Sequence, residues 1–170
     1  MTSSGDVRAG GIGRSYYHTT TASQELLMNK ILGHVDTPTR SEIHDLIVEF
    51  TWKLDHAEPA GFADLFEADG RFITGQGVIA GPARLQDFAD TRTAMIRTSR
   101  SVLSNHRLVR LSDTLIEGTV LVTLYMHDGT TLGEPVAHSV SEYRDLYVRG
   151  GDEVWRFQER RSVPIFTRPA

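Results

Sequence analysis

The stretch that decides the fold is residues 102–126, VLSNHRLVRLSDTLIEGTVLVTLYM, in which Val, Leu, Thr and Tyr predominate. It divides at Ser112-Asp113 into two long segments, and residues of this kind often form the turn between two antiparallel strands. Two further segments of similar composition follow at residues 135–148 and 154–166, again separated by turn signals. The second half of the chain therefore predicts four long antiparallel strands.

Helical patterns precede these strands. Thr39 and Glu42 fit a capping box, after which one apolar face predicts a helix that ends near Asp55. We expect a second short helix over residues 62–66, then a small hairpin, and a third helix that begins at Gly81-Pro82. Helices and strands that are segregated along the chain indicate an α+β fold. The prediction is a cone-like, curved antiparallel sheet packed on three N-terminal helices.

Composition narrows the classes of protein to which the chain can belong. The 170 residues suit one domain, and we assign residues 1–38 to a flexible N-terminal arm and residues 39–170 to the folded domain. There is no cysteine, and 18 Lys and Arg are set against 22 Asp and Glu, so a thiol nucleophile, a zinc knuckle and a nucleic-acid partner are not expected. With no long apolar segment, we expect a cytoplasmic protein that has no membrane partner.

Several short motifs together resemble the SnoaL-like proteins of the nuclear transport factor 2-like superfamily. These motifs are Phe50-Thr-Trp-Lys-Leu-Asp55, Ser104-Asn105, Tyr143-Arg-Asp145 and Trp155-Arg-Phe-Gln-Glu-Arg160, and the resemblance spans about residues 40–166. It implies a conical pocket for a small hydrophobic molecule and a homodimer. Members of this superfamily include dehydratases, isomerases, cyclases, epoxide hydrolases and non-catalytic binding proteins, so the fold does not choose among these functions.

Asp55 and His106 are the candidate catalytic residues. Asp55 ends an apolar helix face, and a carboxylate that faces an apolar pocket becomes a usable proton acceptor or donor near neutral pH. In the dehydratase-like branch, the matching aspartate orients a histidine base on the first long strand. His106 fills that role only if Ser104 and Leu108 also point inward. The alternative register points Ser101 and Asn105 inward and leaves His106 on the solvent side; we favour this second register.

Six residues are candidate ligand contacts. They are Phe50, Trp52, Ser101, Asn105, Tyr125 and Tyr143. Phe50 stands where the dehydratase-like branch has a tyrosine, and a phenyl ring cannot donate a hydrogen bond to a developing oxyanion. Arg160 is expected to pair with Asp145 across neighbouring strands. We find no motif for a metal or a nucleotide cofactor, and we expect neither.

The residues support two main functional hypotheses. The first is an enzyme that uses acid/base chemistry on a small hydrophobic molecule, as a dehydratase, isomerase or cyclase does. The second is a ligand-binding or dimerisation module without catalysis, which the absent tyrosine and the uncertain histidine favour. Epoxide hydrolysis is a weaker third hypothesis, because only Arg144-Asp145 hints at the Asp–Arg–Asp set that the resemblance implies for it.

Overall fold

The computed structural model describes residues 33–168, so most of the predicted arm lies outside the described residues. Two α-helices, one 3₁₀ helix and six strands make up this part of the chain. In chain order they are α1 (Thr37–Asp55), the 3₁₀ helix (Phe62–Leu65), β1 (Phe66–Thr74), β2 (Gly77–Ala80), α2 (Pro82–Ala94), β3 (Arg97–Ser112), β4 (Leu115–Asp128), β5 (Ser139–Arg149) and β6 (Trp155–Thr167).

Helix α1 begins two residues before the predicted capping box. Its N-cap is Asp36, whose carboxylate accepts a hydrogen bond from the Thr39 backbone N–H at 2.9 Å. Pro38 lies in the first helical turn, where backbone N–H groups have no intrahelical acceptor, so proline's lack of an N–H costs no hydrogen bond. Asp36 takes the position expected for Thr39 because a carboxylate is a strong acceptor at a helix N-terminus. Of the predicted apolar face, Ile43, Ile47 and Phe50 are fully buried.

The expectation of three α-helices is wrong, because the second predicted helix is only one 3₁₀ turn. Gly61 precedes it in a left-handed conformation, with φ of 71°. Phe66, directly after it, already has extended backbone and starts β1. Too few residues remain between Gly61 and the strand for an α-helix, and short connectors of this length commonly adopt 3₁₀ geometry. Helix α2 does start at Gly81-Pro82, as predicted.

The six strands form one sheet in the order β2-β1-β6-β5-β4-β3. It curves round α1, which contacts both β3 and β6, and it does not close into a barrel because β2 and β3 are its free edges. The predicted sheet was wholly antiparallel, but β1 and β6 pair in parallel. A parallel pair needs a long crossover connection, and here β2, α2 and the three intervening strands supply it.

A buried ion pair lies inside the apolar core. Arg160 on β6 donates two hydrogen bonds to Asp145 on β5, with nitrogen–oxygen distances of 2.9 and 2.7 Å, which confirms the expected pairing. Both side chains are 0% exposed. The Tyr147 hydroxyl donates to the same carboxylate at 2.6 Å. The Arg160 guanidinium also lies over the ring of Phe50, 4.4 Å from its centroid. These contacts compensate two charges that are removed from water.

We expect Asp145→Asn to lower the free energy of unfolding by about 3 kcal/mol, because the Arg160 charge would stay buried without a counter-charge. Urea denaturation at neutral pH measures this. Glu142→Gln on the same strand is the control, because the Glu142–Arg144 pair is exposed and should contribute no more than about 0.5 kcal/mol. Equal losses in the two variants would contradict the assignment of this ion pair to the core.

Candidate active site

Asp55 is held by the first residues of β3. Its carboxylate accepts one hydrogen bond from the Ser99 hydroxyl and one from the Ser101 backbone N–H, both at 2.6 Å. The Arg100 guanidinium donates at 2.8 Å to the Asp55 backbone carbonyl, one of the helix-terminal groups without an intrahelical partner. Each carboxylate oxygen has two lone pairs, so each of the two oxygens has one occupied position and one left over.

Ser99 and Arg92 belong to the site, and the sequence analysis missed both roles. Ser99 is 2% exposed and accepts a hydrogen bond from Arg92 of α2 at 3.1 Å. Burial lowers the pKa of Arg92, with the Arg97 charge acting in the same direction and the Asp55 charge opposing it. Arg92 thus donates to Ser99, and Ser99 donates to Asp55, so these hydrogen bonds run from the cation to the carboxylate. The available signal was spacing, since Ser99 lies two residues before Ser101 and shares its face.

A β-bulge in β3 resolves the two registers considered above. Ser104 pairs with Leu121 and Arg107 pairs with Thr119, so β3 has one more residue between these pairs than β4 has. Asn105 adopts a left-handed φ of 53° inside the bulge. The two registers were treated as exclusive, and that premise is wrong: Ser101 faces inward before the bulge and His106 faces inward after it. A bulge allows this because the extra residue reverses the alternation of the strand.

The distance along β3 also keeps His106 away from Asp55. Ser101, which contacts Asp55, is five residues from His106, a separation of roughly 16 Å along an extended strand. The His106 ring instead lies against His44 of α1, with a centroid distance of 6.2 Å. Its Nε2 atom is buried and has no hydrogen-bond partner among the described residues. The structure therefore does not bring the two candidate catalytic residues together.

Burial lowers the pKa of His106 to about 4, and the nearby Arg40 and His44 charges act in the same direction. The imidazole is consequently neutral at neutral pH. A neutral imidazole whose Nε2 has no partner can accept a hydrogen bond, so His106 provides a second polar position on the inner face, separate from Asp55.

The candidate ligand contacts do not all lie on the inner face of the sheet. Tyr143 lies on the inner face, its ring 5.9 Å from the ring of the fully buried Phe50. Trp52 is 47% exposed and stacks on His56, while Tyr125 is 37% exposed on the outer face, where it pairs with Arg100. Asn105 is exposed in the bulge. Trp52 and Tyr125 therefore lie away from the Asp55 site because helix and strand periodicity turn them outward, and Asn105 does so because it lies in the bulge.

Tyr143 lies beside the buried ion pair, with the Arg160 guanidinium carbon 4.5 Å from its ring centroid. Burial raises the pKa of the Tyr143 phenol. The Arg160 charge opposes this rise, and the charges of Asp145 and Asp55 add to it. The phenol therefore stays protonated at neutral pH and can donate a hydrogen bond. Apolar side chains surround this part of the inner face, since Met126 and Leu124 lie directly opposite Ser99 and Ser101.

Comparison with known proteins places this architecture in a family. A family model described as a SnoaL-like domain matches residues 36–161, which is most of the chain. The chain belongs to the SnoaL-like domain family. This SnoaL-like protein has no significant match among curated protein sequences. Among residues 33–168, no group of three or more His, Asp or Glu side chains is placed to hold a metal ion, and no helix is long and apolar enough to cross a membrane.

Three solved structures illustrate the fold that the SnoaL-like chain shares. A putative scytalone dehydratase from Novosphingobium aromaticivorans is 19% identical, with a TM-score of 0.66 over 77% of this chain and 87% of that one. A hexachlorocyclohexane dehydrochlorinase, LinA type 2, is 20% identical, with a TM-score of 0.65 over 78% and 89%. A Nostoc punctiforme protein of unknown function with a cystatin-like fold is 16% identical, with a TM-score of 0.68 over 80% and 98%. At these identities the likeness establishes the fold alone.

The lowered pKa of His106 predicts a pH-dependent stability. Between pH 6.5 and about 4 the unfolded chain takes up a proton at this residue and the folded chain does not, so the free energy of unfolding falls as pH falls through this window. His106→Gln removes this contribution, so the variant should lose less stability than the wild type over the same window. Urea denaturation at several pH values measures both curves. Parallel curves would show that His106 is protonated equally easily in both states.

Proposed function

We propose that this SnoaL-like protein is an enzyme that performs acid/base chemistry on a small hydrophobic molecule, with Asp55 as the proton-accepting group. The observation that carries the proposal is the position of the Asp55 carboxylate: it lies inside the curved sheet, is fixed by Ser99 and Ser101, and keeps a lone pair on each oxygen. Fixed orientation of a catalytic group removes part of the entropic cost of reaching the transition state.

An elimination is the reaction that best suits these residues. Asp55 would take a proton from a carbon of the substrate, the electron pair of that C–H bond would form the new double bond, and the leaving group would depart from the adjacent carbon with its own bonding pair. Asp55 would then return its proton to the departed group. When that group is hydroxide, the products are an alkene and water. The names of two fold neighbours, a putative scytalone dehydratase and a dehydrochlorinase, describe reactions of this type.

Tyr143 would supply the second polar contact. Its phenol remains protonated on the inner face and would donate a hydrogen bond to an oxygen on which negative charge develops. Phe50 cannot make such a contact because a phenyl ring has no polar hydrogen to donate, and its ring is fully buried against Arg160. The neighbouring Met126 and Leu124 suit a hydrophobic substrate.

Asp55→Asn tests the proposal. Asparagine has the same shape, so its oxygen can still accept from the Ser101 N–H while its basicity is lost. With scytalone and hexachlorocyclohexane as probe substrates, and formation of the alkene product or release of chloride as the readout, we expect kcat to fall at least about 100-fold for a substrate that the wild type converts. The urea midpoint should stay close to that of the wild type. Asp87→Asn, an exposed carboxylate on α2, is the control and should keep full activity. An unchanged rate in Asp55→Asn removes Asp55 from the mechanism.

A ligand-binding module without catalysis is the second candidate, and a specific observation favours it. Among residues 33–168, no histidine is hydrogen-bonded to the Asp55 carboxylate, and its two partners are the Ser99 hydroxyl and the Ser101 backbone N–H. Saturable binding of a probe by the wild type, with no conversion of any substrate tested, would support this second function over the first.

We also propose that the outer face of the sheet binds a second copy of the chain. Val102, Thr123, Val140 and Phe166 form one cross-strand row on this face, and Phe166 is 68% exposed. Farther along the same strands, a cavity of about 330 Å³ is lined by charges of both signs, Arg107 and Arg144 together with Glu117 and Glu159. A patch with both signs can complement itself across a two-fold axis.

Val102→Glu tests this interface, because it would place a charge in the middle of an apolar contact. We expect the dimer dissociation constant, measured by sedimentation equilibrium, to rise at least about tenfold. Val48→Glu, on the exposed face of α1, is the matched control and should leave the constant unchanged. A wild-type chain that sediments as a monomer at every concentration would refute the interface.

A further inference from the structure

An acidic groove lies between α1, the 3₁₀ helix and the start of β6, and it shares no residue with the candidate active site. Its volume is about 530 Å³, within the range of ligand-binding clefts. Four carboxylates line it, those of Glu42, Asp45, Glu49 and Glu153. Its apolar part includes Leu46 of α1 and the indole of Trp155 at the first position of β6.

The carboxylates of this acidic groove come from two elements and face one space. Glu42, Asp45 and Glu49 recur at intervals of three and four residues, which places them on one side of α1. Glu153 faces them from the turn between β5 and β6. One of the four is paired, because the Lys53 ammonium lies 3.2 Å from Glu49. Like charges at this spacing weaken an isolated helix, and a bound cation would offset that cost.

Trp155 provides an independent sign of a ligand. Its side chain is 5% exposed, and its indole N–H has no acceptor among the described residues. A buried donor without a partner is costly, and most such donors in folded proteins find one. The chain's other tryptophan shows the ordinary arrangement, because the Trp52 indole N–H donates to Glu58 at 3.3 Å.

We propose that the acidic groove binds a basic peptide segment of a partner protein. Arg or Lys side chains of the segment would pair with the carboxylates, its apolar side chains would lie on Leu46, and a backbone carbonyl would accept the Trp155 N–H. A peptide supplies the cation and the neutral acceptor together, which an inorganic cation does not. The carboxylates are also not gathered tightly enough to hold a metal ion, since no group of three or more metal-ligating side chains occurs among residues 33–168.

The two indole N–H groups make the test direct, because a ¹⁵N-labelled full-length chain shows one indole resonance for each of its two tryptophans. The probe is the tetrapeptide acetyl-Leu-Arg-Leu-Lys-amide, for which we expect a dissociation constant of about 1 mM. The Trp155 resonance should move downfield on titration as its N–H gains an acceptor, while the Trp52 resonance stays in place. Trp52→Phe assigns the two signals. The same peptide with citrulline and acetyl-lysine in place of the two cations should not bind.

Charge variants complete the experiment. The double variant Glu42→Gln with Asp45→Asn should weaken peptide binding about fivefold, and added salt should reduce the difference between variant and wild type. Asp87→Asn, an exposed carboxylate on α2, is the control and should bind like the wild type. Trp155→Phe keeps an aromatic ring, although a smaller one, and removes the donor, and it too should bind more weakly, as measured by anisotropy of a fluorescent peptide.

Three outcomes would overturn the proposal. The first is a Trp155 resonance that does not move at a peptide concentration tenfold above the expected constant. The second is a difference in the position of the Trp155 resonance, without peptide, between the wild type and a full-length variant in which Arg8, Arg14 and Lys30 are changed to Gln. That difference would assign the acidic groove to the chain's own N-terminal segment. The third is a resonance that moves on dilution alone, which would assign the groove to a second copy.

Discussion

The buried pair of Arg160 and Asp145 is the constraint on which the rest of the described structure depends. Neither charge is exposed to solvent, so each must stay within hydrogen-bond distance of the other. That requirement fixes the register of β5 against β6, where the two residues are direct partners. It also places Phe50 of α1 against the guanidinium, so the helix and the sheet are joined at the centre of the core.

The position of Asp55 follows from this arrangement. Asp55 lies five residues after Phe50, at the end of the same helix, and the packing of Phe50 determines where α1 ends relative to the sheet. Ser99 and Ser101 then meet the carboxylate, and the Tyr143 ring lies against the Arg160 guanidinium, 4.5 Å from ring centroid to guanidinium carbon. A polar site beside an apolar core needs this kind of support, because a side chain that is free to rotate would lose its orientation.

The helical and strand patterns predicted much of the fold, because amphipathic periodicity is a local property of the sequence. Helix α1, helix α2 and the four long strands lie close to their predicted positions. The 3₁₀ helix and the parallel pairing of β1 with β6 were not predicted. The 3₁₀ helix forms because few residues separate Gly61 from β1, and β1 itself forms only by pairing with other strands. The parallel pair joins segments at opposite ends of the domain, about which local patterns carry no information.

The sequence by itself determined the family resemblance, the pairing of Arg160 with Asp145 and the choice of Asp55, a carboxylate at the end of an apolar helix face, as a candidate. Only the tertiary structure decided which residues meet Asp55. A single extra residue at the bulge turns Ser101 and His106 to the same face of the sheet yet leaves them far apart, and the hydrogen bond from Arg92 to Ser99 joins α2 to β3. Such contacts depend on strand register and on the packing of separate elements, and these are set by the whole core rather than by neighbouring residues.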